Sequence, residues 1–321
     1  MHLPRRFALC CLFSIGTLGL VRATPPDFGP NVMIFDPSMP TSQIQAAVDA
    51  IANQQLSNQF GPQRYALLFM PGTYGNAANP LVFQVGYYTE VAGLGASPTD
   101  VTINGHVDVY NQCFPAPTGC IALDNFWRSL SNLTINVTGL SGCRSSAEFW
   151  AVSQAAPMRR VNITGGNLTL QDYCTAGPQF ASGGFISDSK TGFVINGSQQ
   201  QFFVRNSSIG GWSNGVWNQV FSGVVGAPAT CFPCGNPYTT LATSPVTREA
   251  PYLYMDSNGN YNVFVPSVQN NSVGTTWGAG ATPGSSIRIE KFFVAKPTDS
   301  AATINKALGS GMNLILGPGR L

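Results

Sequence analysis

The sequence predicts an all-β fold, a right-handed parallel β-helix opened by a capping helix, on three observations. Short β-prone runs of one design recur between residues 130 and 225, each alternating apolar and polar side chains around a central Asn, Asp or Ser. After about Leu56 no amphipathic helical period returns until close to the C-terminal end. Charged residues are 9% of the chain while hydrophobic ones are 44%, against ~25% charged in an average globular protein. Stacked strands place equivalent side chains one strand spacing apart, about 4.8 Å, where like charges repel and Asn or Ser amides and hydroxyls can bond in ladders. A β-sandwich also needs many short strands, but hairpin turn dipeptides between adjacent runs are scarce.

Residues 1–23 read as a secretory leader. Arg5 and Arg6 form its positive start, residues 7–20 its apolar run, and Val21-Arg22-Ala23 its cleavage site. The apolar run falls short of the ~20 residues of a spanning helix, so the chain is expected to be secreted, with no membrane partner. Losing Arg5, Arg6 and Arg22 takes the 16 basic side chains to 13 against 14 acidic ones. That balance leaves no electrostatic footprint for nucleic acid.

Residues 24–240 form the expected β-helix domain. A strand at 31–35 precedes a helix capped by Thr41, whose Ile44, Ala47, Val48 and Ile51 share one face. The buried-type run 65–70 follows and is closed by Pro71-Gly72. The recurring strands come next, with Asn132, Asn162, Asp188, Asn206 and Ser222 as the expected ladder, spaced 30, 26, 18 and 16 residues apart. Residues 241–298 read as a linker with a β-hairpin. Residues 299–321 repeat the opening order of helix, apolar strand and Pro-Gly, the expected start of a truncated second β-helix.

Without the leader, six cysteines remain: Cys113, Cys120, Cys143, Cys174, Cys231 and Cys234. Six allow fifteen connectivities, among which sequence proximity favours Cys113–Cys120, Cys143–Cys174 and Cys231–Cys234. Seven sequons begin at Asn132, Asn136, Asn162, Asn167, Asn196, Asn206 and Asn270, candidate glycosylation sites unless the ladder turns some inward. No metal site and no cofactor is expected, because His106 is the single histidine beyond the leader; it reads as a strand residue.

Five stretches carry a family resemblance: 31–72, WAVSQAAPMRR (150–160), WSNGVW (212–217), REAPYLY (248–254) and FVAKPTD (293–299). Together they resemble secreted, pectate-lyase-like β-helix proteins, a group often labelled adenylyl cyclase or coagulation factor 5/8 type. The architecture is also similar to that of the two-β-helix glucanases of glycoside hydrolase family 55. The resemblance implies a tandem β-helix, an extracellular setting and a carbohydrate ligand. It carries no catalytic residue onto a numbered position, and no phosphate-cradling loop supports a cyclase.

Glycoside hydrolysis generally takes two carboxyl groups, one to protonate the leaving oxygen and one as base or nucleophile. Of the 14 acids, those at turns, caps, the first helix and the lead, and Glu290 beside Lys291, have structural explanations. Glu90, Asp108, Asp124, Glu148, Asp172, Asp188 and Glu249 are left. Asp188 stands where other coils carry Asn or Ser, so its charge calls for a substrate, or for Arg160 or Arg205 on a neighbouring coil. Glu148 beside Phe149-Trp150 is the second candidate acid, and Glu249 beside Arg248 reads as an ion-pair partner. Trp127, Trp150, Trp212 and Trp217 offer flat apolar faces for sugar rings, with Gln154, Gln200 and Asn214 to reach hydroxyls. The sequence thus supports a secreted polysaccharide hydrolase of β-glucan type or its truncated homologue. The alternative is a non-catalytic wall-binding protein.

Overall fold

The computed structural model describes residues 26–197, 201–215, 217–231, 237–278 and 280–319. The leader, Gln200 and Cys234 lie outside these residues.

The chain is mostly β, with few helices, and is dominated by parallel sheet. A sheet of twelve strands carries, side by side, Val32–Phe35, Tyr65–Phe69, Thr89–Gly93, Arg128–Val137, Met158–Thr164, Gly184–Ser187, Phe202–Arg205, Gln219–Ser222 and Tyr238–Leu241. A second parallel sheet of four carries Ala147–Phe149, Asn167–Thr169, Phe193–Ile195 and Gly211–Ser213. From Arg128 to Ser222 the chain alternates between the two, one strand in each per pass. Single parallel bridges join Asn162, Lys190, Ser208 and Val225 in a third, thinner ladder. All five runs singled out by their alternation are neighbours in the large sheet.

Apolar pairing sets the register. Leu130 faces Met158, Leu133 faces Val161 and Ile135 faces Ile163, while Ile186, Val204 and Phe221 continue across three further strands. All nine side chains are buried in one core. A slip of one residue would turn every one of them to the opposite face. Helix α1 (Thr41–Gln55) lays Ile44 and Val48 into that core, with Ala47 and Ile51 packed at its border. Thr41 is not its cap: the cap position is Pro40, with no side-chain hydrogen bond, and Thr41 is the first helical residue.

The polar ladder exists, but two of its rungs differ from the expected ones. Within or just after successive strands of the large sheet the chain bends through a left-handed residue: Asn132 (φ 53°), Arg160 (54°), Asp188 (49°), Asn206 (46°) and Gly223 (60°). The register makes Arg160 the partner of Asn132, and Gly223 that of Asn206, in place of the expected Asn162 and Ser222. Asn, Asp and Gly tolerate this conformation; Arg seldom does. Arg160 is held there by its own guanidinium. Nε donates to Asn132 Oδ1 at 3.2 Å and Nη1 to Asp188 Oδ2 at 3.1 Å. Nη2 donates to the Ala96 carbonyl and the Tyr252 hydroxyl.

The stretch read as a linker with a β-hairpin carries packed antiparallel strands. Tyr252–Met255, Tyr261–Pro266 and Gly284–Arg288 form an antiparallel sheet. Its Met255, Tyr261 and Val263 join Phe28, Ala66, Leu68, Ala92 and Leu94 in a second core beside the large sheet. Helix α2 (Ala301–Gly309) is capped by Ser300, whose side chain accepts from the Thr303 N–H. The strand after it, Asn313–Leu316, pairs in parallel with Phe292–Ala295. No helix among the described residues is long and apolar enough to cross a membrane.

Cys113–Cys120 and Cys143–Cys174 are disulfides, as proximity suggested. Cys231 is also disulfide-bonded. Three sequon asparagines are buried with their amides committed. Asn132 donates to the Gly93 and Gly95 carbonyls, Asn196 to Gln219 and Asn206 to Ser272. Asn270 is exposed, and Asn136, Asn162 and Asn167 are half-buried.

Candidate functional site

A cleft of about 940 Å³ lies between the large sheet and the C-terminal segments. Tyr65, Glu90, Ser129 and Arg159 line its sheet side, and Tyr252 and Leu314 line the opposite side. Glu90 pairs in register with Ala66 and Ser129 on the flanking strands. Its side chain is exposed to the cleft. Among the described residues it takes no hydrogen bond or ion pair. Water reaches this carboxyl, but protein surrounds it on most sides, and that burial pushes its pKa up from the ordinary carboxylate value.

An aromatic platform borders Glu90. The Trp127 ring stacks on Tyr88 with centroids 5.2 Å apart and planes 7° from parallel. The Arg64 guanidinium lies over the Tyr88 ring, 3.2 Å from its centroid. Both Tyr88 (φ 55°) and Trp127 (φ 55°) sit in left-handed bends just before strands Thr89–Gly93 and Arg128–Val137, which turns the two rings onto one another. Trp127 remains 39% exposed. A flat, partly bare indole held rigid on one side suits the apolar face of a pyranose ring.

The other sequence candidates divide into core and surface. Trp150 and Trp212 are corrected to core residues: both rings are buried in the main core, and their indole N–H groups donate to Ala156 and Asn214 carbonyls. Trp217 is 58% exposed. Asn214 turns its amide to the Asn196 carbonyl at 2.8 Å. Gln154 is exposed and its Oε1 accepts from Ser182 Oγ, which also donates to Ser153 Oγ at 2.7 Å.

Neither acid nominated from the sequence opens onto a groove. Asp188 is buried between Arg160 and Thr276, whose backbone N–H and hydroxyl both donate to it. Burial raises its carboxyl to a pKa of about 6, against the opposing pull of Arg160 and those Thr276 bonds. Glu148 is fully buried; its Oε1 accepts from the Val107 N–H at 2.9 Å. Burial first, and the neighbouring Asp108 charge second, hold its carboxyl well above the ordinary range. The two acids share no partner. Glu249 is an ion-pair residue as expected, bound to Arg205 at 2.9 Å and lying 3.7 Å from Arg159.

This arrangement can hold a sugar against Trp127 and offer it one carboxylic acid. The chain is 49% identical over 295 residues to an exo-β-1,3-glucanase of Streptomyces sp. (strain SirexAA-E / ActE), covering 91% of this chain and 45% of that protein. It is homologous to that glucanase. The solved structure of sacteLam55A from Streptomyces sp. SirexAA-E superposes with a TM-score of 0.80 at 47% identity, over 92% of this chain and 50% of that one. A glutamate-to-alanine variant of sacteLam55A in complex with glucose superposes with a TM-score of 0.79 at 45% identity, over 93% of this chain and 50% of that one. The chain thus spans about half the length of the relatives it matches. No protein-family model matches it.

Sequence reading passed over Glu90 and Tyr88. Glu90 is one of the acids without a structural explanation in the sequence, but only the register reveals that the Tyr88–Trp127 stack lies beside it. The signal was the pair of adjacent aromatics, Tyr87-Tyr88, ahead of an isolated acid.

Proposed function

We propose that this chain belongs to a secreted, β-glucan-directed glycoside hydrolase, wound as a right-handed parallel β-helix, that holds a glucan strand along the Trp127–Tyr88 platform beside Glu90. The identity of 49% over 295 residues to an exo-β-1,3-glucanase carries the reading. Strands alternating between two parallel sheets support the helical winding, and right-handed crossovers are the rule for parallel strands. A relative with bound glucose supports a glucosyl ligand. Glu90, whose carboxyl burial pushes up from the ordinary carboxylate value, is placed where it could donate a proton to a departing glycosidic oxygen.

One observation favours a second reading, carbohydrate binding without cleavage. Glu90 is the sole acid among the described residues lining the cleft, while hydrolysis asks for two carboxyl groups. The test is to incubate the secreted chain with soluble β-1,3-glucan and measure reducing-end release and retention on glucan-agarose. Release that is abolished in Glu90→Gln supports the hydrolase. Retention without release supports the binding protein, and neither retention nor release removes both readings.

A further inference from the structure

Away from the cleft, the chain builds a closed cluster that the proposed glucanase chemistry does not use. His106 and Asp108 lie two residues apart on strand Val101–Asp108, and Glu148 comes from Ala147–Phe149. All three side chains are fully buried. His106 Nδ1 is 3.6 Å from Asp108 Oδ2 and 3.6 Å from Glu148 Oε2. One ligand atom from each residue falls within 4.8 Å of the others.

These distances are too long for hydrogen bonds. They match the ~3.3–3.6 Å separation between ligands on a tetrahedral ion with arms of about 2.0–2.2 Å. Both ring nitrogens of His106 and Oε2 of Glu148 are buried with no hydrogen-bond partner. Buried orphans of this kind are rare in folded proteins, and here two of the three point at one spot. Their neighbours are fixed. Glu148 Oε1 accepts from Val107 N–H and Asp108 Oδ1 from Phe149 N–H, each at 2.9 Å. Asp108 Oδ2 also accepts from the Tyr110 hydroxyl. Backbone donors thus orient both carboxylates while leaving one oxygen of each turned to the histidine, as outer-shell groups do around metals.

From this geometry we infer that His106, Asp108 and Glu148 bind a zinc ion that fastens the two strands together. Two carboxylates balance a dication, which removes the cost of burying like charges side by side. One imidazole and two carboxylates in a dry pocket suit zinc, whereas calcium asks for six to eight oxygens. A water can take the remaining position. A lone histidine gave no sign of such a site, because the two carboxylates stand 40 residues apart and meet only through the fold. The site is closed. The Tyr110 ring is covered by Arg144, 3.5 Å from its centroid, and Arg144 is anchored on Asp172 beside the Cys143–Cys174 disulfide. Zinc would therefore be captured during folding and retained afterwards.

The test uses the full chain secreted in zinc-supplemented medium and dialysed natively against a chelator, with metal measured by plasma mass spectrometry. One equivalent of zinc is expected to survive dialysis and to leave only after unfolding. Refolding with zinc should raise the thermal midpoint over refolding without it. Glu148→Gln, which keeps the Val107 hydrogen bond acceptor, should weaken retention by about tenfold or more. Wild-type chain refolded with cobalt gives an answer even if that variant does not fold: visible absorbance of four-coordinate cobalt is expected. No retained metal together with no midpoint shift overturns the site, as does equal retention by Glu148→Gln or a cobalt spectrum of purely hydrated ion.

Discussion

Two polar regions of this molecule use the same residue types to opposite ends. In the bend stack, Asn132, Arg160, Asp188 and Asn206 are all buried, and their polar atoms are largely bonded to one another or to the segment above. At the cleft edge, Trp127 and Glu90 are exposed, and Glu90 is unpaired among the described residues. The stack's hydrogen bonds hold the backbone in an unfavourable bend; the cleft's groups are left over for something that arrives from outside. An acid is therefore a better functional candidate for being unbonded than for standing out of pattern, which was the reason Asp188 drew attention.

The largest expected effect breaks the stack. Arg160→Ala strips Asp188 of its cation and should cost about 3–5 kcal/mol above neutral pH, read as a lower urea midpoint. The loss should shrink at pH 5, where the acid takes a proton instead. Next comes the pH dependence of the wild type. The Asp188 carboxyl has a pKa of about 6 in the folded chain against an ordinary 3.8, so the folded state holds its proton more tightly. Its contribution to stability is complete below pH ~4 and is lost as pH rises through ~6, a change of up to roughly 3 kcal/mol. Asp188→Asn, which tolerates the left-handed bend, should flatten that part of the stability profile.

On the cleft side the effects fall on ligand, not on fold. Trp127→Ala should weaken binding of β-1,3-glucan oligosaccharides about tenfold or more by calorimetry. Its thermal midpoint should stay within a few degrees of wild type, because the ring is partly bare. The smallest effect concerns the sequons. Glycopeptide mapping of secreted protein should find sugar at Asn270 and none at Asn132, Asn196 or Asn206, whose amides are buried and engaged.

Much of the fold was legible because alternation is a local signal. The strands around Leu133, Val161, Ile186, Val204 and Phe221 could be read one by one, and they lie adjacent in the sheet. The rungs were harder. Asn162 resembles a ladder residue by type, yet the bend falls two positions earlier, at Arg160, a residue type that rarely adopts it. The tryptophans show the same limit. Trp150 follows a short strand, Trp212 lies within one and Trp127 precedes one, and only the fold shows that the first two rings enter the core while the third stacks outside. The His106–Asp108–Glu148 cluster needed register between strands distant in the chain, which no local pattern contains.

The most direct measurement is the structure of the secreted chain soaked with a β-1,3-linked glucan oligosaccharide, paired with calorimetry on the same ligand. A glucosyl ring lying flat on Trp127 with an oxygen within hydrogen-bond reach of Glu90 is expected, with binding lost in Trp127→Ala. Saturating ligand bound elsewhere, or unchanged affinity in that variant, would contradict it.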